Sequence, residues 1–249
     1  MEGDAIEGRN PVLEALLRGR RKVRRIFLDN GAKPEPRIDQ ILALASKAGV
    51  PIVRVERQKL DRMAEGRVHN GVIAEGDPLP STTTAALIEE IYASGRDPFL
   101  VLVDEIAYEH NLGAIMRSAL GFGADGVIVP TRRGAGLSPV VQRVSMGACE
   151  VVPLVREGLY SALKPIKRAA IRVIGADMGG VPVSDLDLRG PVAFLLGGEG
   201  EGLSAELRAR CDVVTSIPLL GGLESLNVSV AAAVLMYEKR RQDSLGTSR

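Results

Sequence analysis

The sequence predicts an α/β protein built in two parts. A small α/β unit is expected over residues 1–76, a linker and connecting helix over 77–97, and a larger domain with a mostly parallel sheet over 98–249. Three observations predict this. Short apolar runs alternate with stretches of helical period along the chain, the pattern of β-α-β units. Asp77 to Thr84 breaks the alternation with a run rich in Pro, Ser and Thr, whose prolines favour an extended path between two folded parts. Phe99 to Val103 and Val192 to Leu196 are apolar throughout, as strands covered on both faces should be.

In the first part, Asn10 and Pro11 predict a helix start, with Asn as N-cap and Pro at the first helical position. Val12, Leu13, Leu16 and Leu17 form its apolar face, and Gly19 ends it. Val23 to Leu28 reads as a strand. Pro36 to Ala48 reads as a helix, with Ile38, Ile41, Leu42 and Ala45 at helical spacing and Gly49 as its stop. Pro51 to Val55 is a second strand, Gln58 to Met63 a short helix and Val72 to Ala74 a third strand. The unit has enough apolar positions for a core of its own.

In the second part, Ala85 to Ala93 reads as the connecting helix. After the strand at Phe99, a stripe of Leu112, Ile115, Met116, Ala119 and Leu120 predicts a helix, with Asn111 where an N-cap belongs. Gly126 to Val129 is the next strand. Arg132, Arg133, Gly134 and Gly136 make a basic loop, and Ser138-Pro139 opens a helix with good cap chemistry. Val151 and Val152 read as a short strand, Tyr160 to Ala169 as a helix and Ile171 to Gly175 as a strand. The closing stretch runs from the strand at Val192 into Gly197 to Gly202, through a helix-like piece, to a strand at Val213 to Ile217. It then turns at Pro218 to Gly222 and enters a helix that follows Asn227. Two glycine-containing turns thus follow two strands, the place where an α/β sheet holds a ligand.

Composition narrows the function classes. The 249 residues suffice for ample core, and no apolar run approaches the ~18 residues of a membrane span. Acidic residues come early with no apolar run of the signal-peptide kind behind them. Two cysteines, Cys149 and Cys211, lie far apart, and the only histidines are His69 and His110. A disulfide framework and a metal site are therefore not expected, and a reducing cytoplasm is. Residues 1–76 hold 15 Lys and Arg against 11 Asp and Glu, net +4, while the remainder is net −3. The densest basic run, Arg18 to Arg25, suits either a phosphate-binding patch or a solvated connection between helix and strand.

Each chemically suggestive residue also has a structural explanation. The glycines from Gly197 to Gly202 allow close backbone approach to a ligand, or merely a tight strand-to-helix turn. Gly200, Gly202 and Ala205 match the dinucleotide fingerprint, but near the chain's end and without the acidic partner ~20 residues on. Arg117 could simply solvate a helix whose other face is apolar. Asn111, Ser225 and Asn227 could simply cap helices, and His69 could sit in a turn before a strand. Ser229, Ala231, Ala232 and Ala233 are small, so the last helix can meet another backbone closely.

Taken together, three segments have a familiar order: Asn111 to Arg117, Leu196 to Leu203, and Ile217 to Ala231 with its Ser225-Leu-Asn-Val-Ser-Val230 core. They resemble the three motifs of the SpoU (TrmH) family of RNA ribose 2′-O-methyltransferases. The first part, beginning Ile6-Glu-Gly-Arg-Asn-Pro-Val-Leu-Glu14, resembles that family's ribosomal-protein L30e-like substrate-binding domain. One departure is Gly198, where many members carry Asn or another small side chain. The resemblance implies a deep trefoil knot in the C-terminal domain, an exception to the usual topology rules. It implies S-adenosylmethionine as cofactor, held by Gly197, Gly198, Ile217, Leu219 and Leu226, and a homodimer formed through the C-terminal domain. It implies catalytic roles for Asn111, Arg117, Glu199, Ser225 and Asn227, ribosomal RNA as the partner, and a guanosine ribose of 23S ribosomal RNA as the target. Transfer RNA is the alternative substrate within the family. Outside it stand an RNA-binding protein without catalysis and a nicotinamide-dependent oxidoreductase.

Overall fold

The computed structural model of the chain describes residues 4–132, 136–198 and 202–246. In chain order the elements begin with β1 (Asp4–Glu7), α1 (Arg9–Arg18), β2 (Val23–Asp29), α2 (Pro36–Ala48), β3 (Ile52–Val55), α3 (Arg57–Met63) and β4 (Val72–Gly76). There follow α4 (Thr84–Ala93), β5 (Phe99–Val103), α5 (Glu109–Phe122), β6 (Gly126–Val129), α6 (Pro139–Val144), β7 (Leu154–Arg156) and α7 (Leu159–Arg168). The last are β8 (Arg172–Pro182), β9 (Val192–Leu196), α8 (Ala205–Arg208), β10 (Val213–Ser216) and α9 (Val228–Gly246). The chain forms two compact units, Met1–Pro80 with Leu137–Val151, and Ser81–Gly136 with Val152–Arg249. The segment 137–151, which the sequence pattern groups with the second part, thus packs with the first. No helix among the described residues is long and apolar enough to cross a membrane.

The first unit is a four-stranded mixed sheet in the order β1-β4-β2-β3. β2 and β3 are parallel, and β4 runs antiparallel to both its neighbours. Alternation along the strands sorts the side chains. Ile26, Leu28, Val72 and Ala74 join Val12, Ala15, Ile38 and Ile41 of α1 and α2 in one core. Phe27 and Ile73, between them in sequence, join Leu60 of α3 in a second core. β1 escaped the sequence pattern because four residues are too few to show alternation. The predicted N-cap Asn10 is corrected: Gly8 is the N-cap, in a backbone conformation (φ 100°) that favours glycine. Pro11 still falls in the first turn, where its missing N–H costs nothing.

The segment 137–151 is tied to the first unit by a buried ionic contact. Ser138 caps α6 as expected, its hydroxyl accepting from Val141 N at 3.2 Å. The buried Arg21 guanidinium pairs with the Glu150 carboxylate and donates to Gln142 Oε1 at 2.7 Å. Burial pushes the Glu150 carboxyl upward, and the Arg21 charge opposes that shift. The expected strand at Val151 and Val152 is also corrected. Residues Ala148–Glu150 form a 3-10 turn that carries Val151 into helical dihedrals, and β7 begins only after Pro153.

The second unit is a six-stranded sheet, β10-β8-β9-β5-β6-β7, in which every pairing is parallel. All five residues of β5 and all five of β9 are buried, as continuous apolar runs require. On one face, Leu87 and Ile91 of α4 and Leu163 and Ile166 of α7 pack on Leu100, Leu102, Val173 and Ala193. Phe194 meets Phe99 edge-on at 6.0 Å between ring centroids. α5 and α9 pack against each other, and α9 also meets β9. Chain order reverses between β5 and β9: β6 and β7 extend the sheet on one side of β5, and the later strands on the other. Such a switch point opens a crevice beyond the carboxyl ends of the strands.

Candidate active site

A cleft of about 480 Å³ lies at that crevice, lined from the carboxyl ends of β8, β9 and β10 and from the start of α5. β9 delivers Leu196, Gly197 and Gly198, and the far side of its turn returns at Gly202, bridged to Gly198. A Cβ on Gly197 would stand 2.0 Å from the carbonyl carbon of Gly202, so only glycine lets the two limbs of this turn close. A Cβ on Gly198 would stand 2.8 Å from Cβ of Glu105. That contact explains glycine at a position where the family resemblance anticipates asparagine.

β8 contributes a feature that the strand pattern missed. Its pairing with β10 jumps from Val214 opposite Gly175 to Thr215 opposite Val181, so residues 176–180 bulge out of the ladder. Two side chains of β10 brace the bulge: Thr215 Oγ1 donates to Val181 O and Ser216 Oγ to Gly180 O, each at 2.9 Å. The bulge places Ala176, Asp177 and Met178 on the cleft. Asp177 also pairs with Arg208. The adjacent Gly179 and Gly180, at the end of a strand, were the available sign of a bulge.

The segment after β10 closes the cleft with Ile217, Leu219, Glu224, Ser225, Leu226 and Asn227. Asn227 performs the N-cap function for α9, its Oδ1 accepting from Ser229 N at 2.9 Å and Ser229 Oγ at 2.7 Å. Its Nδ2 donates to Asn111 Oδ1 at 3.2 Å, linking α9 to α5. The N-cap expected at Asn111 is corrected: Tyr108 holds that position in α5, and Asn111 sits in the first turn.

The cleft therefore gathers Gly197, Gly198, Ile217, Leu219 and Leu226 with Asn111, Ser225 and Asn227. Glu199 lies outside the described residues. Arg117 does not line the cleft; it is exposed on α5, six residues beyond Asn111. That separation is about 9 Å along the axis and a third of a turn around it.

Two further expectations resolve in the first unit. His69 is buried, its Nε2 2.9 Å from Asp61 Oδ1 and its Nδ1 accepting from Gly71 N at 3.1 Å, so it fixes the turn before β4. Of the basic run, Arg21 is buried with Glu150, Arg18 pairs with Glu14, and Arg24 pairs with Asp77 at 2.6 Å. These charges serve the unit's own structure, and Lys22 and Arg25 remain exposed.

A parallel sheet with a glycine-walled cleft at its switch point defines a protein that binds a small cofactor by backbone and apolar contact. The SpoU rRNA Methylase family matches residues 98–237, and the family described as RNA 2′-O ribose methyltransferase substrate binding matches residues 5–82. The chain belongs to the SpoU methylase family, and it is an S-adenosylmethionine-dependent RNA methyltransferase. It is 38% identical over 247 residues to an uncharacterized tRNA/rRNA methyltransferase of Mycobacterium ulcerans, covering 97% of this chain and 78% of that one. It is 36% identical over 241 residues to the 23S rRNA (guanosine-2′-O-)-methyltransferase RlmB of Pseudomonas putida, covering 96% of each. Among solved structures it is similar to the SpoU methyltransferase AviRb of Streptomyces viridochromogenes in complex with AdoMet. That likeness has a TM-score of 0.79 and 27% identity, over 98% of this chain and 91% of that one.

The cleft fits that cofactor. Its volume is in the range of small-molecule sites, and Leu196, Ile217, Leu219 and Leu226 give it apolar walls that suit an adenine. Glu224 adds a carboxylate to the lining, while that of Asp177 is paired with Arg208.

Proposed function

We propose that the chain methylates a ribose 2′-hydroxyl in 23S ribosomal RNA, that of a guanosine, in the cytoplasm and as a homodimer. The carrying observation is the convergence of eight residues, from three separate sequence motifs, on one cleft at the sheet's switch point. The substrate assignment draws on the relative in Pseudomonas putida, which matches over nearly the full length of both chains. Residues 1–76, within the first unit, serve as the RNA-binding, L30e-like domain, residues 77–97 as the connection and residues 98–249 as the catalytic domain, of which 137–151 pack with the first unit.

S-adenosylmethionine supplies the electrophilic methyl group when bound. Gly197, Gly198, Ile217, Leu219 and Leu226 hold it, chiefly by backbone. The protein's remaining work is to align the 2′-oxygen with that methyl, worth ~7–11 kcal/mol in favourable cases, and to ease loss of the hydroxyl proton, which passes to water. Asn111 and Asn227, joined to each other, and Ser225 beside them position the ribose. Arg117, exposed on α5, clamps the adjacent phosphate in two-point fashion rather than serving as a base, because a guanidinium keeps its proton and a phosphate accepts two parallel bonds. Support for the trefoil knot comes from the path after β10. That strand lies at the sheet's edge, while α9 packs on β9, two places inward, so residues 217–227 cross the carboxyl end of β8.

The test is to incubate the enzyme with S-adenosylmethionine and deproteinised ribosomal or transfer RNA, then map 2′-O-methyl positions. One new site in 23S RNA supports the assignment. A site in transfer RNA alone favours the second reading, which the name of the Mycobacterium ulcerans relative leaves open.

A further inference from the structure

The chain has eight aromatic residues, four Phe and four Tyr, and no Trp. Seven of them have a partner within the fold. Phe27 lies under Arg25 and Lys59, Phe99 meets Phe194, and Phe122 meets Tyr237 at 5.9 Å between centroids. The hydroxyl of Tyr92 donates to Ala169 O at 3.0 Å, and Arg210 sits 4.9 Å from the ring of Tyr160. Tyr108 alone makes no ring contact, cation contact or side-chain hydrogen bond among the described residues. It is also the most exposed of the eight, at 68%.

Its position is equally telling. Tyr108 is the N-cap of α5, where Ser, Thr, Asp or Asn would satisfy an orphan N–H, and its side chain makes no cap bond. A locally poor residue at a working site signals a role beyond local structure. Tyr108 lines the cleft, the only aromatic residue among the described residues to do so, and its carbonyl accepts from the backbone N–H of Asn111 at 3.0 Å. A flat, unpartnered π-face therefore stands beside the residue assigned to the ribose. RNA-binding proteins hold single-stranded bases by stacking them on such faces, because every base has a π-face of its own.

The geometry points to Tyr108 as the platform on which the base of the target nucleotide stacks when its ribose enters the cleft. This rests on the reading of the cleft as a ribose methylation site. Stacking grips the base without reading its hydrogen-bonding edge, so Tyr108 fixes the nucleotide's pose and favours an unpaired target. Base identity must then be read by other groups.

Two measurements test this. In methylation of deproteinised 23S RNA, Tyr108→Ala lowers kcat/KM by about 5- to 150-fold, and Tyr108→Phe, which keeps the ring, restores it to within about threefold. S-adenosylmethionine affinity, read by calorimetry, stays within about twofold for both variants, showing that the cofactor site is intact. Because the chain lacks tryptophan, Tyr108→Trp also installs a single reporter. Its emission is expected to be quenched saturably by 23S RNA. A Tyr108→Ala enzyme that methylates at the wild-type rate overturns the inference while leaving the methylation reading intact. An emission that shifts with protein concentration and ignores RNA also overturns it, because a second copy of the chain then covers the ring. A wild-type enzyme that methylates neither ribosomal nor transfer RNA overturns both readings.

Discussion

Asn227 and Asn111 are joined side chain to side chain, Nδ2 of the first donating to Oδ1 of the second at 3.2 Å. The same Asn227 caps α9 through its Oδ1, so one residue fixes a helix start and orients a neighbour on the cleft. The two duties can be separated. Asn227→Asp keeps the acceptor for Ser229 and loses the donor to Asn111, whereas Asn227→Ala loses both. Thermal unfolding is expected to show a loss of about 1 kcal/mol for Ala and little for Asp. Methylation assays are expected to show a large fall for both. An Asp variant with full activity would mean that the link to Asn111 has no part in the reaction.

Gly197→Ala is expected to abolish S-adenosylmethionine binding. The new Cβ would stand 2.0 Å from Gly202, a distance no carbon tolerates, so the turn has to open. Calorimetry on the folded variant is the check. Retained affinity would place the cofactor away from this turn.

Arg117→Ala is expected to leave cofactor affinity within a few fold and to remove methyl transfer. The variant should also bind RNA with a shallower salt dependence, by roughly one phosphate contact. A rate near that of the parent enzyme would remove Arg117 from the mechanism.

The buried pair of Arg21 and Glu150 predicts a stability effect in the first unit. Arg21→Met strands a buried carboxylate and is expected to cost about 3–5 kcal/mol in urea unfolding. The double variant Arg21→Met, Glu150→Leu should recover most of that loss, because removing both charges removes the penalty. Equal instability of single and double variants would show that the packing, not the pairing, matters.

Burial pushes the Cys149 thiol up to about 11, from an ordinary 9.0. The neutral thiol is the form favoured by the fold, so its contribution is complete below pH 9.0 and is lost as pH rises toward 11. Relative to Cys149→Ala, the parent protein should lose stability across that window. At pH 8, iodoacetamide should leave Cys149 unmodified until the protein is unfolded. The half-exposed Cys211 is also shifted up, by burial and then by the charge of Asp212, and should react only slowly.

Much of this architecture was legible in the residues. Continuous apolar runs announced β5 and β9, because strands covered on both faces need no polar side. Pro36 to Ala48 was read to the residue, with a proline at one end and a left-handed glycine at the other. β1 was not legible, because its partner lies some seventy residues away and four residues carry no period. The bulge in β8 was hidden for a similar reason: it is visible only against β10, although Gly179 and Gly180 hinted at it. Cap positions were misplaced at Asn10 and Asn111, where Gly8 and Tyr108 hold the helix starts instead. The motif residues were found by resemblance, and their convergence was not deducible from spacing, since Asn111 and Asn227 are 116 positions apart.

The most direct test of the account is a crystal structure with S-adenosylmethionine soaked into the enzyme. The donor is expected in the cleft beyond β8, β9 and β10, against Gly197, Ile217 and Leu226, with its methyl group turned toward Asn111. A donor bound elsewhere on the chain, or a methyl group facing away from Asn111 and Asn227, would contradict it.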